Sequence, residues 1–202
     1  MCGRYYVDID MEKEIEQIVK DVDRSLRTFR MGRDIHPTEA APVITSGSAG
    51  LHAGTKLWGF PGFGKQKVIF NARSETALEK KMFRDSVLTR RCVIPASHFY
   101  EWNSSKEKFT FLRENSPVLY LAGFYRKYED GDHFVILTTA ANASMKGVHE
   151  RMPLVLEKEH LTGWLADGHE TDTLLHETPG PLQCLADYEQ QSLWQGVQNP
   201  FS

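Results

Sequence analysis

Cys2 stands directly behind the initiator methionine. Removal of Met1 leaves a 1,2-aminothiol, an α-amine and a thiol on adjacent carbons. An α-amine titrates near ~7.7–8.0 and a thiol near ~8.5, so both are expected to be partly deprotonated at neutral pH. Such an amine attacks an aldehyde to give a Schiff base. The neighbouring thiolate then closes on the imine carbon to form a five-membered thiazolidine, which no internal cysteine can do. The same residue could instead attack a carbonyl as an N-terminal nucleophile, with its own amine as base. Read alone, Cys2 is as readily a small second residue with no chemistry.

Three further segments carry reactive types. In Phe70-Asn71-Ala72-Arg73-Ser74-Glu75, Asn71 and Arg73 are two apart and project from one side of an extended chain. Arg73 suits a bidentate phosphate contact and Asn71 a hydrogen bond to a sugar or a reacting oxygen. A helix behind them would present free N–H groups to an anion. The alternative is a plain strand end with a helix cap. In His98-Phe99-Tyr100-Glu101-Trp102, a carboxyl sits between aromatics. Wedged against Tyr100 and Trp102, it would be desolvated, which moves a carboxyl toward the range useful for proton transfer. It reads equally as a surface Glu at a strand's end. In Val148-His149-Glu150-Arg151-Met152-Pro153, His149 can shuttle a proton and Arg151 offers a second phosphate contact. A lone His is more often structural. Thr138-Thr139-Ala140-Ala141-Asn142 supplies small polar groups of the kind that wall a site. Trp58-Gly59 offers a ring for base stacking, although Trp58 alone reads more naturally as core.

The elements that must position these residues follow from patterning. Tyr5-Tyr6-Val7-Asp8 reads as a strand, and Asp10 can cap a helix with the apolar stripe Met11, Ile15, Ile18, Val19 and Val22. Strands are expected at 41–44, 57–60, 68–70, 91–95, 98–102, 109–112 and 153–156, with the run at Arg91 stopped by Pro95. Residues 46–54 are small and Gly-rich, hence a turn or hairpin loop, and 61–64 another loop. Ser74 can cap a helix over 74–88, and 157–166 reads as a second. Leu119–Tyr125 and His133–Thr139 form a hairpin around Glu129-Asp130-Gly131-Asp132. A last strand is expected at 182–186. Many short strands in hairpin order with a few helices indicate an α+β fold, one domain over residues 1–202 built on a mostly antiparallel sheet.

The chain has 202 residues, 41% hydrophobic and 25% charged, with a net charge of −3. This is the composition of an ordinary globular protein and argues against binding nucleic acid by bulk charge. No apolar run reaches the ~20 residues of a membrane span, and the start lacks the form of a secretory signal, so a cytoplasmic protein is expected, or a nuclear one in a eukaryote. Three cysteines without CxxC spacing and eight scattered histidines give no support to a disulfide framework or a metal site. The total hides an uneven distribution. Residues 65–91 hold eight basic side chains against three acids, whereas 148–202 hold two against nine. Either these are two solvated faces, or one side faces an anion.

The ordered set Met-Cys-Gly-Arg, Asn-Ala-Arg-Ser-Glu, Arg-Cys-Val-Ile-Pro-Ala with Phe-Tyr-Glu-Trp, and Thr-Thr-x-Ala-Asn with His-x-Arg-Met-Pro resembles the SOS response-associated peptidase family, the abasic-site processing proteins. The match runs from Cys2 to about Leu156. The resemblance implies a barrel-like α+β domain, expected as a monomer, that binds single-stranded DNA without metal or cofactor. Its processed Cys2 would join the aldehyde of an abasic site in a stable thiazolidine crosslink that shields the lesion. By motif, Asn71 would orient the sugar and Arg73 hold the flanking phosphate. Glu101 would assist proton transfers, and His149 would protonate the leaving oxygen. Arg4, Trp58, Thr138 and Arg151 match DNA-contacting positions. Self-removal of Met1 and a weak lyase activity are further implications. Two departures stand out. His98 occupies a position where the family usually has Gly, and the segment 58–67 has one Trp where longer members have a pair.

Two other readings use the same residues. An N-terminal-nucleophile glutamine amidohydrolase also begins Met-Cys-Gly, but it would normally feed a synthase domain and does not predict Glu101 among aromatics. A noncatalytic single-stranded DNA-binding module would need only the Arg and Trp residues.

Overall fold

The computed structural model describes residues 2–47, 49–62, 67–114, 116–166 and 168–186. Two antiparallel-rich sheets share one hydrophobic core. The smaller sheet has the order Gln183–Ala186, Lys108–Leu112, His98–Trp102, Tyr5–Val7, Arg33–Ile35. Alternation sets its faces: Tyr5, Val7, Phe99 and Phe111 point into the core, while Tyr6 and His98 stack on the outside. The larger sheet contains a closed ring. Gly50–Trp58 pairs Ala40–Gly47, which pairs Arg91–Ala96, then Leu119–Tyr128, then Gly131–Ala140. A parallel rung, His133 opposite Leu57 and Phe134 opposite Trp58, closes the ring on itself. Closure removes edges, and Val43, Ile44, Val93, Ile94, Leu121, Val135 and Leu137 are buried on one face or the other of its wall. The architecture is thus the expected α+β class with a five-stranded barrel.

The helices pack outside. Met11–Ile18 buries Met11 and Ile15 and ends where Val19 turns extended. Val22, expected on that helix, lies instead in the short strand Asp21–Val22 beside Ala53. β-branched Val19 and Val22 favour that change. The hairpin turn expected over 46–54 is confined to the tip between Gly47 and Gly50, and residues 46–47 and 50–54 are strand. The strands Ala40–Gly47 and Gly50–Trp58 run in register from Ala40 opposite Leu57 to Gly47 opposite Gly50. Small residues gave no periodic signal, and the strands extend almost to the tip of a tight local hairpin. The helix expected over 74–88 is two, Ser74–Ala77 and Lys81–Thr89, broken where Lys80 is extended. Arg73 takes the cap position, and Ser74 is buried in the first turn.

Pro95 does not stop its strand, which runs Arg91–Ala96. The neighbouring Ala40–Gly47 pairs only Cys92 and Val93, so a ring nitrogen is tolerated beyond them. The segment 153–156 is two strands, Arg151–Pro153 and Val155–Leu156, on different partners. The helix expected at 157–166 begins as a 3-10 turn, Lys158–His160, before Leu161–Ala166. Part of the loop expected at 61–64 lies outside the described residues. Gly59 turns the chain between Trp58 and Phe60 with φ +113, and a Cβ there would lie 2.3 Å from Val68 Cγ1. Among the described residues, no helix is long and apolar enough to cross a membrane.

Candidate active site around Cys2

Cys2 leads into Tyr5–Val7, an inner strand of the smaller sheet, and is fully buried. Its Sγ donates to the Arg4 carbonyl at 3.7 Å, and its own carbonyl accepts from Asn71 Nδ2 at 2.7 Å. Asn71 and Arg73 lie on Asn71–Arg73, parallel to the barrel strand Gly131–Ala140, with Ala72 buried between them. Arg73 is exposed. Asn71 Oδ1 is buried and has no hydrogen-bond partner among the described residues, an acceptor held ready for a ligand.

Glu101 is 3% exposed. Its strand neighbours Tyr100 and Trp102 point to the other face, so they are not what desolvates it. Glu101 is covered from the core side, opposite Phe109, with His149 Nε2 at 3.6 Å from its Oε1. The Arg151 backbone N–H donates to His149 Nδ1 at 2.9 Å. The Arg151 carbonyl lies 3.2 Å from the same nitrogen, but the N–H contact is the shorter and can only donate, so we assign Nδ1 as acceptor and the ring proton to Nε2, facing Glu101. A proton donor and a buried carboxylate thus stand side by side at Cys2.

Burial, and then the nearby Glu101 charge, push the Cys2 thiol up to about 12. With Met1 in place, burial disfavours the ionised thiol at neutral pH. The thiol is a protonated reagent that needs a base at the moment of attack, and Glu101 is the charged group beside it.

The remaining candidates divide. Arg4 forms an ion pair with Asp34, and its guanidinium lies 4.9 Å from the Tyr100 ring centroid. Arg151 forks onto both Glu75 carboxylate oxygens at 2.6 and 2.9 Å and also donates to the Thr138 carbonyl. The Arg151 hydrogen bonds hold Glu75 below the usual carboxylate range. Thr138 is fully buried and donates to the Ala72 carbonyl at 3.3 Å, so its side chain positions the Asn71 strand. Trp58 is a correction. Its ring is fully buried against Tyr5 and Phe134, and its Nε1 donates to the Phe70 carbonyl at 2.9 Å. It offers no face to a base. His98 sits in regular strand geometry, stacked on Tyr6 and hydrogen-bonded to Tyr100, so glycine is not required there.

The basic run 65–91 does not form one anion-facing surface. Arg91 is buried and donates to the carbonyls of Trp164, Val87 and Leu88, while Arg90 pairs Asp85. Residues the sequence reading passed over are Glu75 and Asp34, which fix Arg151 and Arg4. Glu75 lay within a quoted motif, but nothing local pointed to a partner 76 positions away. Among the described residues, no group of three or more His, Cys, Asp or Glu could hold a metal ion.

The model of the family described as SOS response associated peptidase (SRAP) matches residues 1–194. The abasic site processing protein YoaM of Bacillus subtilis is 30% identical over 179 residues, 82% of this chain and 79% of that protein. YedK of Escherichia coli, named likewise, is 27% identical over 176 residues, 82% and 79% of the two chains. A solved structure from Bordetella bronchiseptica superposes with a TM-score of 0.75 at 25% identity, covering 92% of this chain and 99% of that one. Another from Bacteroides thetaiotaomicron gives 0.76 at 20% identity, covering 92% and 91%, and shows the shared fold. With a barrel of the same shape and a family match that takes in Cys2, Asn71, Glu101 and His149, the chain belongs to the SOS response associated peptidase family.

Proposed function

We propose that this protein binds single-stranded DNA at abasic sites and crosslinks to them through Cys2 once Met1 is removed. The observation that carries this reading is the convergence of Cys2, Asn71, Glu101 and His149, residues spread over most of the chain, on one buried point. The ring-opened abasic sugar presents an aldehyde. The Cys2 amine adds to its carbon to give a carbinolamine, and loss of water, with His149 Nε2–H protonating the departing oxygen, gives the Schiff base. That loss leaves the nitrogen protonated as an iminium; Glu101 then takes the thiol proton as Sγ adds to the iminium carbon and passes it to His149 Nε2, which restores both groups. One water leaves and a thiazolidine remains. Asn71 holds the Cys2 carbonyl, which fixes the amine and thiol relative to the aldehyde. Arg73 is placed to hold a flanking phosphate. If closure is delayed, the Schiff base acidifies the adjacent sugar carbon and permits β-elimination, a lyase side reaction. The peptidase of the family description corresponds here to self-removal of Met1.

The test is a denaturing gel of the mature protein with an oligonucleotide carrying one abasic site. A heat-stable shifted band is expected from wild type and none from Cys2→Ser. No band from wild type, or an equal band from Cys2→Ser, rejects the thiazolidine. Mass spectrometry of the purified chain should show Met1 absent.

A further inference from the structure

We infer that Asn142 is a positioning residue for His149: its amide ties the turn that carries the imidazole to the edge of the sheet that carries Glu101. This rests on the reading above and names what sets the distance between its proton donor and its base. The two groups come from different sheets. Glu101 lies on His98–Trp102 of the smaller sheet, and His149 ends the turn that follows the barrel strand Gly131–Ala140. His149 Nε2 stands 3.6 Å from Glu101 Oε1, already past a good hydrogen bond, so a small slip of one sheet against the other parts them. The turn is a continuous hydrogen-bonded path. The Asn142 carbonyl accepts from the Met145 and Lys146 N–H groups, and the Met145 carbonyl accepts from those of Val148 and His149. Met145 is fully buried and pins the middle of the turn.

The Asn142 side chain uses its whole hydrogen-bonding capacity. Oδ1 accepts from the Ser144 N–H at 3.0 Å and from its hydroxyl at 2.6 Å, which caps the turn. Nδ2 donates to the Pro179 carbonyl at 3.0 Å and the Gly180 carbonyl at 2.9 Å. Carbonyls can only accept, so this position calls for an amide and turns away a carboxylate. Ser144 adds a third tie, its Oγ accepting from the Leu182 N–H at 3.1 Å. The segment so held runs straight into Gln183–Ala186, the edge strand of the smaller sheet. There Ala186 lies opposite Phe109, and Phe109 lies opposite Glu101 on the next strand, one row from the tied segment to the carboxylate. The motif Thr138-Thr139-Ala140-Ala141-Asn142 thus ends in a brace between the two sheets.

The test compares Asn142→Asp, which keeps the cap and loses both amide ties, with Ser144→Ala, which loses the Leu182 tie and keeps them. Circular dichroism checks that each is folded. In crystals of Asn142→Asp the separation of His149 Nε2 from Glu101 Oε1 should grow by about 1 Å or more. At saturating abasic DNA the crosslinking rate should fall about 10-fold, with affinity for an undamaged oligothymidylate unchanged. Ser144→Ala should slow the rate about 3-fold. In a His149→Ala background Asn142→Asp should cost nothing further, whereas a general loosening of the fold would still add its own loss. An unchanged separation or rate in Asn142→Asp, or full additivity with His149→Ala, overturns the inference. If Asn142→Asp does not fold, Ser144→Ala carries the same measurements. Wild type that gives no abasic crosslink rejects the covalent reading, and the separation in the crystals then decides the role of Asn142 by itself.

Discussion

At Cys2 and Glu101, two effects of one carboxylate pull in opposite directions. The Glu101 charge raises the thiol and so opposes its ionisation, yet Glu101 is the base beside it. Glu101→Gln separates the two. The thiol should become more acidic, read as thiolate absorbance against pH with Cys2→Ala subtracted. Crosslinking should nevertheless slow by about 10²-fold, the usual worth of a positioned general base. Faster crosslinking in that variant would make Glu101 a mere electrostatic brake. Little of this was legible in the residues alone. The oddity of a carboxyl among aromatics marked Glu101, but for a neighbourhood it does not have. Its burial comes from Phe109 and His149, which only folding supplies.

Among the elements, the short helix Ser74–Ala77 and the strand Arg151–Pro153 are tied by the Glu75–Arg151 fork. The fork and the Thr138 carbonyl take three of the five guanidinium N–H groups. Arg151 is therefore a strut first, and it steadies the turn that aims His149. Glu75→Ala should lower stability by about 1 kcal/mol, since the pair is partly solvated, and Tm by about 2–4 °C. Crosslinking should slow with it. A rise in affinity for single-stranded DNA would instead identify Glu75 as a gate that masks Arg151 from phosphate. Elements with their own alternation were readable: Tyr5–Val7, His98–Trp102 and the hairpin Leu119–Tyr128 with Gly131–Ala140. Those whose pairing comes from elsewhere were not. Residues 50–54 join a ladder because Asp21–Val22 and Ala40–Gly47 flank them. The Trp58 ring reads as core on its own, and what displaces the DNA contact implied by the resemblance is a rung that joins strands far apart in sequence.

For the molecule as a whole, the titrating groups that depart from their ordinary range share one sign toward acid. Burial lowers His98, so between its unfolded value near ~6.5 and its depressed folded value the unfolded chain binds the extra proton. Stability there falls as pH falls. Arg151 holds Glu75 low. Asp34 is pushed upward by burial, but the Arg4 hydrogen bond and charge outweigh this and leave it low as well. Both contribute stability above about pH 4 that is lost as the pH drops through their folded values. Thermal melting between pH 7 and 3 should therefore show two falling stages. His98→Gln should remove the upper one and leave the lower. An unchanged upper stage would place its source outside the Tyr6–His98–Tyr100 stack.

The burial of Cys2 sets a deadline. Gly3 and Arg4 lead straight into a strand paired on both sides, so an external aminopeptidase cannot draw the N-terminus into its own cleft once the sheet has formed. Trimming by another enzyme belongs to the nascent chain, before residues 98–102 emerge to pair. On the proposed reading, a methionine that outlasts synthesis stays on the chain unless the folded protein removes it itself. Refolded chain that retains Met1 should resist added methionine aminopeptidase, whereas the denatured chain is trimmed.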